Sequence, residues 1–224
     1  MKINFSENCI YSQLDPRWSG EVLGYNTPNS IYNIYNFGCL ITCLAMVCRY
    51  VGYDENPSTI NSKLQDNNGF SPGSGLYMWG SSVKRLFEKI TEERVVTTPD
   101  PLSDAQVGEI KQAIDNGWPV ILQIDYNPRT VSLDMHYVLA MGYNPNDEND
   151  LTIIDPLGGV EKSLKSYLGW WRPSIRKTIE QYAVYKCDVE SDNNELEKMR
   201  ESRDRWKVEA KEKEEILEKI RSLV

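Results

Sequence analysis

One segment limits the possible folds of this chain more than any other, the apolar run over residues 40–51. The run is apolar on nearly every side. Gly52 follows it, at the position where a helix end favours a residue in the left-handed conformation. A helix that is apolar all round has to be covered by protein on every side. We therefore predict a central, buried helix that begins directly after Gly38 and Cys39.

Other signals place most of the helices before the strands. Asn56-Pro57 can begin a second helix, and Ser103 with Gln106 forms a capping-box pattern before a helix that ends near position 116. Apolar runs then predict strands, at 120–124, 137–141, 151–154 and 182–185. Helices first and strands later are typical of an α+β fold.

The end of the chain has a different character. Residues 190–224 contain neither Gly nor Pro, and charges of both signs are dense there. Positions spaced by three and four are apolar at Leu196, Met199, Trp206, Ala210, Leu217, Ile220 and Val224, and the polar residues Arg203 and Lys213 interrupt the stripe. This pattern predicts a coiled-coil helix that makes a homo-oligomer or docks the chain on a larger particle, and a single charged helix lying on the domain is the alternative. The predicted domains are therefore 1–189 and 190–224.

Composition excludes several classes of function. The net charge of −8 argues against nucleic acid and anionic membrane as partners, because both require a basic surface. No apolar run approaches the roughly 20 residues of a membrane helix, and the first residues lack the features of a signal peptide. We expect a protein made in the cytoplasm.

The five cysteines and the single histidine also limit the chemistry. An odd cysteine count without a signal peptide argues against a disulfide framework. The spacing of Cys39, Cys43 and Cys48 does not match a structural zinc site, and one histidine cannot complete such a site. The sequence therefore predicts neither a metal nor a cofactor, and any mechanism that needs an imidazole must use His136.

Cys39 is a candidate nucleophile because of its place at the start of the predicted central helix. A helix N-terminus carries partial positive charge and unpaired N–H groups, which favour a thiolate over a thiol. Gly38 has no side chain that would obstruct a substrate. The alternative is that Cys39 is a small buried residue without a chemical role, as many free cysteines are.

His136 and Asp155 flank a predicted β-hairpin. A turn centred near position 145 would place three pairs of residues directly opposite each other: His136 with Asp155, Val138 with Ile153, and Ala140 with Leu151. Opposed residues share one face of a sheet. The carboxylate could then hold one ring nitrogen and leave the other for a thiol. A surface histidine beside an ordinary turn aspartate is the alternative.

Four motifs together resemble the papain-like cysteine peptidases, in particular relatives of the double-glycine, bacteriocin-leader-processing peptidases. The motifs are Gln13-Leu14-Asp15-x-x-Trp18, Gly38-Cys39-x-x-Thr42, His136-Tyr137-Val138 and Asp155-Pro156. The resemblance covers about residues 11–186. It implies a central helix packed on an antiparallel sheet. It also implies that Cys39 is the nucleophile, His136 the general base and acid, and Asp155 the orienting group.

The resemblance also implies an oxyanion hole and a context. The Gln13 side chain and the Cys39 N–H would stabilise the oxyanion of the transition state. Stand-alone domains of this type occur in phage lysins and tail-associated proteins, which suggests a peptidoglycan stem-peptide substrate and a virion or cell-wall location. A leader-processing peptidase and an inactive binding module on a coiled-coil stalk are the alternatives.

Overall fold

A computed structural model describes residues 2–187, except positions 81, 97–100, 133 and 148. The contacts of the chain divide it after Cys187, into Met1–Cys187 and Asp188–Val224. The predicted coiled-coil segment 190–224 therefore lies outside the described residues.

An antiparallel sheet forms the centre of the described part of the chain. Its six strands are β1 Ile90–Val96, β2 Val120–Asp125, β3 Met135–Tyr143, β4 Leu151–Asp155, β5 Val160–Ser163 and β6 Ile179–Cys187. They lie in the order β1-β6-β2-β3-β4-β5. Successive side chains of a strand point to opposite faces. Because all six residues of β2 are buried, both faces of the sheet are covered at its centre.

The described helices are mostly short. They are α1 Ile34–Phe37, α2 Cys39–Tyr50, α3 Pro57–Asp66, α4 Ser82–Leu86, α5 Asp104–Asp115 and α6 Ile175–Thr178, with 3₁₀ helices at Glu7–Cys9 and Leu164–Tyr167. Helices α2 and α5 both pack against β2 and β3. None of these described helices combines the length and the apolar character that crossing a membrane requires.

The predicted central helix is confirmed as α2. Every residue from position 40 to 48 is buried, including Thr42, so the helix is enclosed as its sequence predicts. Gly38 occupies the N-cap, and a Cβ there would lie 2.5 Å from the Ile34 carbonyl oxygen. The turn from α1 into α2 is therefore too tight for any side chain at position 38. Gly52 follows α2 with a φ of 97°, in the left-handed region.

The other two helix signals are also confirmed. In α3 the Asn56 side chain accepts from the Thr59 N–H, and the Thr59 hydroxyl accepts in return from the Asn56 N–H. In α5, Ser103 and Gln106 form the same reciprocal pair. Each pair satisfies backbone donors that a helix N-terminus leaves free.

The predicted pairing of the hairpin is wrong by two residues. Ala140 lies opposite Ile153, not Leu151, and a bulge between Ala140 and Gly142 shifts the pairing further towards the turn. The connection is longer than a turn centred at 145 because residues 144–150 form a loop closed by a hydrogen bond from the Asn144 N–H to the Asp150 carbonyl. A shift of two preserves which residues share a face, since side chains alternate with a period of two.

Candidate active site

Cys39 is the first residue of α2 and is partly exposed. The N–H groups of a first helical turn have no acceptor within the helix, and the helix dipole places partial positive charge there. This environment favours negative charge that develops beside the first turn of the helix. Among the five cysteines it is the exception in exposure, since Cys9, Cys43, Cys48 and Cys187 are all buried.

The His136 ring connects the thiol to a carboxylate. His136 lies near the start of β3 and is only 6% exposed. Its Nε2 is 2.8 Å from Asp155 Oδ1. The Cys39 side chain acts on the same ring and raises its pKa, and because Nε2 is taken by Asp155, Nδ1 is the nitrogen left for the sulfur. The structure therefore brings together three of the four predicted site residues, in the order thiol, imidazole, carboxylate.

Asp155 is fully buried at the end of β4 and has four hydrogen-bonding partners. Oδ1 accepts from His136 and from the Leu157 N–H, which is 2.9 Å away. Oδ2 is 2.6 Å from Lys162 Nζ and also accepts from the Tyr167 hydroxyl. A buried carboxylate without partners would be strongly destabilised, and this one is satisfied on both oxygens.

These contacts shift the two titrations in opposite directions. Burial by itself would lower the pKa of His136, but the hydrogen bonds with Asp155 and Cys39 outweigh it and raise the pKa to about 9. Burial would raise the pKa of Asp155, but hydrogen bonds from His136, Lys162 and Tyr167 hold that pKa well below its usual range. The pair therefore favours an imidazolium beside a carboxylate at neutral pH.

Gln13 lies in a segment that packs on the turn after Asp155. Its backbone N–H donates to the Pro156 carbonyl at 2.8 Å. The side chain is buried, and its Nε2 donates to the Tyr35 carbonyl at 2.7 Å, while Oε1 has no partner within the described residues. An amide nitrogen carries two hydrogens, so one remains after the bond to Tyr35. No hydrogen bond joins Gln13 to Cys39, His136 or Asp155 among the described contacts.

Sequence reasoning missed Lys162 and Tyr167. Lys162 lies on β5 opposite Ile153, and it therefore shares a face with Asp155, two residues along β4. Its ammonium donates to the Tyr167 hydroxyl at 2.9 Å and lies 4.3 Å from the centre of the Tyr167 ring. Strand β5 is short and carries no apolar alternation, so the sequence offers no signal of this register.

Tyr126 completes the surroundings of the imidazole. Its ring meets the His136 ring edge to face, with centroids 5.5 Å apart. Tyr126 follows Asp125, a buried carboxylate that accepts from the Asn127 N–H and pairs with Arg172 Nε at 3.1 Å. This partly buried ion pair holds the start of the loop that carries Tyr126.

A cavity of about 670 Å³ is lined in part by Asp155. Lys162 and Tyr167 line it together with Tyr126, Arg129 and the rim residue Trp170. Trp170 is 86% exposed. Among the residues described, no group of three or more His, Cys, Asp or Glu side chains is arranged to hold a metal ion.

Two comparisons with known proteins bear on this site. A family model described as the Peptidase_C39 like family matches residues 11–187, which include Gln13, Cys39, His136 and Asp155. A search of the curated proteins finds no match.

Proposed function

This chain belongs to the Peptidase_C39-like family of papain-like cysteine peptidases, and on that premise we propose that it hydrolyses peptide bonds with Cys39, His136 and Asp155 as its reacting groups. The observation that carries the proposal is the position of His136, whose Nε2 lies 2.8 Å from the Asp155 carboxylate and whose ring also interacts with Cys39. A nucleophile, a base and a group that orients the base are the parts that thiol hydrolysis requires.

The first half of the reaction forms an acyl-enzyme. His136 holds the proton of the Cys39 thiol as an imidazolium, and the sulfur attacks the carbonyl carbon of the substrate. The carbon–nitrogen bond of the resulting tetrahedral intermediate then breaks. The imidazolium gives its proton to the leaving amine, and a thioester remains on Cys39.

The second half restores the free thiol. Neutral His136 takes a proton from a water molecule, whose oxygen attacks the thioester carbonyl. The carbon–sulfur bond breaks, the carboxylic acid product leaves, and the Cys39 thiolate is restored beside His136, which still holds the proton taken from water. Asp155 holds one ring orientation throughout, because its hydrogen bond to Nε2 directs the other nitrogen towards the sulfur.

Negative charge on the carbonyl oxygen needs donors in both halves. We assign this role to the Cys39 backbone N–H, at the positive end of α2, and to the remaining amide hydrogen of Gln13. Support for Gln13 comes from its buried amide and from its bond to the Tyr35 carbonyl, which fixes the amide plane.

We propose peptidoglycan stem or cross-bridge peptide as the substrate, in a lysin of phage or tail-associated type. The resemblance to stand-alone domains of this kind supports it. So do the exposed aromatic side chains of Trp170 and Tyr126, which could pack against the sugar rings that flank such peptides. Residues 190–224 would then assemble copies or dock the enzyme on a particle.

Thiol alkylation tests the ion pair without a substrate. Iodoacetamide at about pH 5.5, followed by intact mass, should modify wild type once and rapidly at Cys39. His136→Ala should react roughly a hundredfold more slowly or worse, because an ordinary thiol is almost wholly protonated there. Cys39→Ala should show no fast modification, since the other four thiols are buried. Equal, slow labelling of wild type and His136→Ala would contradict the proposal.

Digestion experiments then separate the substrate classes. Purified cell-wall sacculi should release new amino groups with wild type and none with Cys39→Ala. Cleavage of a double-glycine leader peptide with no release from sacculi would favour the leader-processing alternative. Rapid alkylation with cleavage of neither substrate would exclude both substrate classes tested. If the domain is instead an inactive binding module, Cys39→Ala should bind its partner as wild type does.

A further inference from the structure

Asp155 has neighbours on both sides that share its face of the sheet. His136 approaches from β3 and Lys162 from β5, and each lies two residues away from the position directly opposite Asp155. The carboxylate is thus held between a base on one side and an ammonium on the other, with the Tyr167 hydroxyl on the same oxygen as Lys162.

We propose that Lys162 and Tyr167 are positioning residues, which keep Asp155 ionised and aimed at His136 while limiting how strongly that carboxylate retains the proton on the imidazole. This inference rests on the proposed function, because it concerns the same imidazole. In this inference Lys162 and Tyr167 act on the reaction through Asp155 and do not contact the substrate.

The physical argument begins with the two oxygens of the carboxylate. If His136 were the only side chain bonded to Asp155, the carboxylate would stabilise the imidazolium more strongly. The pKa of His136 would then be higher and its proton harder to release. Release of that proton to the leaving amine is a step of the reaction, and a general acid works best when its affinity for the proton is moderate. Lys162 and Tyr167 share the charge of Asp155, and the positive charge of Lys162 also opposes a second positive charge nearby.

The groups that act on Asp155 and His136 come from several elements: Cys39 from α2, Lys162 from β5, Tyr167 from the 3₁₀ helix Leu164–Tyr167, and Tyr126 from the loop after β2. The cavity beside Asp155 adds one charge of each sign, on Arg129 and Asp134. When Cys39 and His136 carry opposite charges, Asp155 and Lys162 form a second opposite pair. These four charges then sum to zero, which lowers the free-energy cost of an ionised Asp155 at a buried position.

The single histidine makes a direct experiment possible. We would follow the ring carbon and proton signals of His136 by NMR across pH in the full chain, in the Cys39→Ala background so that no thiol titrates with it. Lys162→Met should move the titration midpoint up by about half a pH unit or more, because a positive charge near the ring is lost. Tyr167→Phe should move it in the same direction.

Two controls separate charge from structure. Lys162→Arg keeps the charge and should leave the midpoint within about 0.2 pH units of its parent. Lys165→Met removes a lysine that pairs with Asp147 instead of Asp155, and it should have no effect on the midpoint. A disordered site would instead let the midpoint fall towards that of an ordinary histidine.

The outcomes for the inference and for the function are distinct. An unchanged or lowered midpoint in a Lys162→Met protein whose urea unfolding matches that of its parent overturns the inference, even where wild type hydrolyses peptides. A raised midpoint in Lys162→Met and Tyr167→Phe supports it. Absence of His136-dependent alkylation in wild type overturns the proposed function, whatever the titrations show.

Discussion

The His136 ring and the Asp155 carboxylate meet diagonally across β3 and β4, with Nε2 2.8 Å from Oδ1. Continuing the pairing of Leu139 with Ile154 places Asp155 opposite Val138, two residues from His136. Diagonal neighbours are about 7–8 Å apart at the backbone, a distance that long side chains can bridge. This offset leaves the second carboxylate oxygen free to face β5, where Lys162 contacts it.

The stability of the protein should depend on the His136 titration. The pKa of His136 is about 9 in the folded protein, against 6.5 for an ordinary histidine. Its contribution is therefore complete below about pH 6.5 and is lost as pH rises through about 9. Urea unfolding should show a decline of at most about 1.4 kcal/mol per pH unit in that range. His136→Asn should remove this part of the slope, and an equal slope in both proteins would contradict the assignment.

Asp155→Asn should shift the imidazole in the direction opposite to Lys162→Met. The variant keeps the size of the side chain but removes the negative charge that stabilises the imidazolium. With Cys39 present, the NMR midpoint of His136 should fall from about 9 towards 6.5. Peptide hydrolysis should drop by roughly a hundredfold or more. Asp134→Asn is a suitable control, because that carboxylate is exposed and makes no contact with His136 among the described hydrogen bonds.

Gln13→Ala should separate oxyanion stabilisation from activation of the thiol. We expect kcat to fall roughly a hundredfold, since one donor to the oxyanion is lost. The alkylation rate at about pH 5.5 should stay at the wild-type value, because iodoacetamide forms no oxyanion. Gln65→Ala is the control. Gln65 lies in α3 and its side-chain amide donates to the Gly24 carbonyl, so its removal should leave hydrolysis intact. A loss of alkylation in Gln13→Ala would assign Gln13 to the structure of the site instead.

Gly38→Ala should destabilise the fold and disturb Cys39. The new Cβ would lie 2.5 Å from the Ile34 carbonyl oxygen, so α1 or the first turn of α2 has to move. Overpacking of this kind costs about 1–3 kcal/mol, which thermal or urea unfolding would detect. Gly20→Ala is the matched control. Its Cβ would meet nothing within 4 Å, and the change should stay within about 0.5 kcal/mol.

Truncation after Glu190 tests the role of the last segment. The heptad-like pattern of 190–224 predicts that the full chain is an oligomer and that the truncated chain is a monomer. Light scattering coupled to size exclusion measures both masses. The truncated chain retains all of residues 11–187 and should keep the rapid alkylation of Cys39. Equal numbers of subunits in the two proteins would show that the segment does not assemble the chain.

Local signals explain which parts of the fold could be predicted. The central helix, the caps at Asn56 and Ser103 and the strand that carries His136 all depend on neighbouring residues, and each was found. Strand β1 was missed, because its polar Thr-Glu-Glu-Arg sequence does not alternate. Its charges are satisfied by distant partners, since Glu92 accepts from the hydroxyls of Tyr77 and Tyr185.

The site shows the same division. His136 and Asp155 share one face of the sheet as predicted, although the predicted register is wrong, because the observed pairing differs from it by two residues. The contact between the two side chains depends on the bulge after Ala140 and on the long 144–150 connection. No short sequence pattern predicts either of them. Lys162 and Tyr167 reach Asp155 only because the chain turns back after Pro156, and Gln13 lies nearby only because its N–H bonds to the Pro156 carbonyl.

The carboxylate and the two side chains that hold its far oxygen come from one short stretch, from Asp155 to Tyr167. Because this stretch is continuous in sequence, it could be exchanged as one segment with the equivalent stretch of a relative. The recipient would supply the imidazole, the thiol and the aromatic ring at the position of Tyr126. In such a chimera the charges around the carboxylate would come from the donor protein. The pKa of the recipient's histidine would then be set by the exchanged segment.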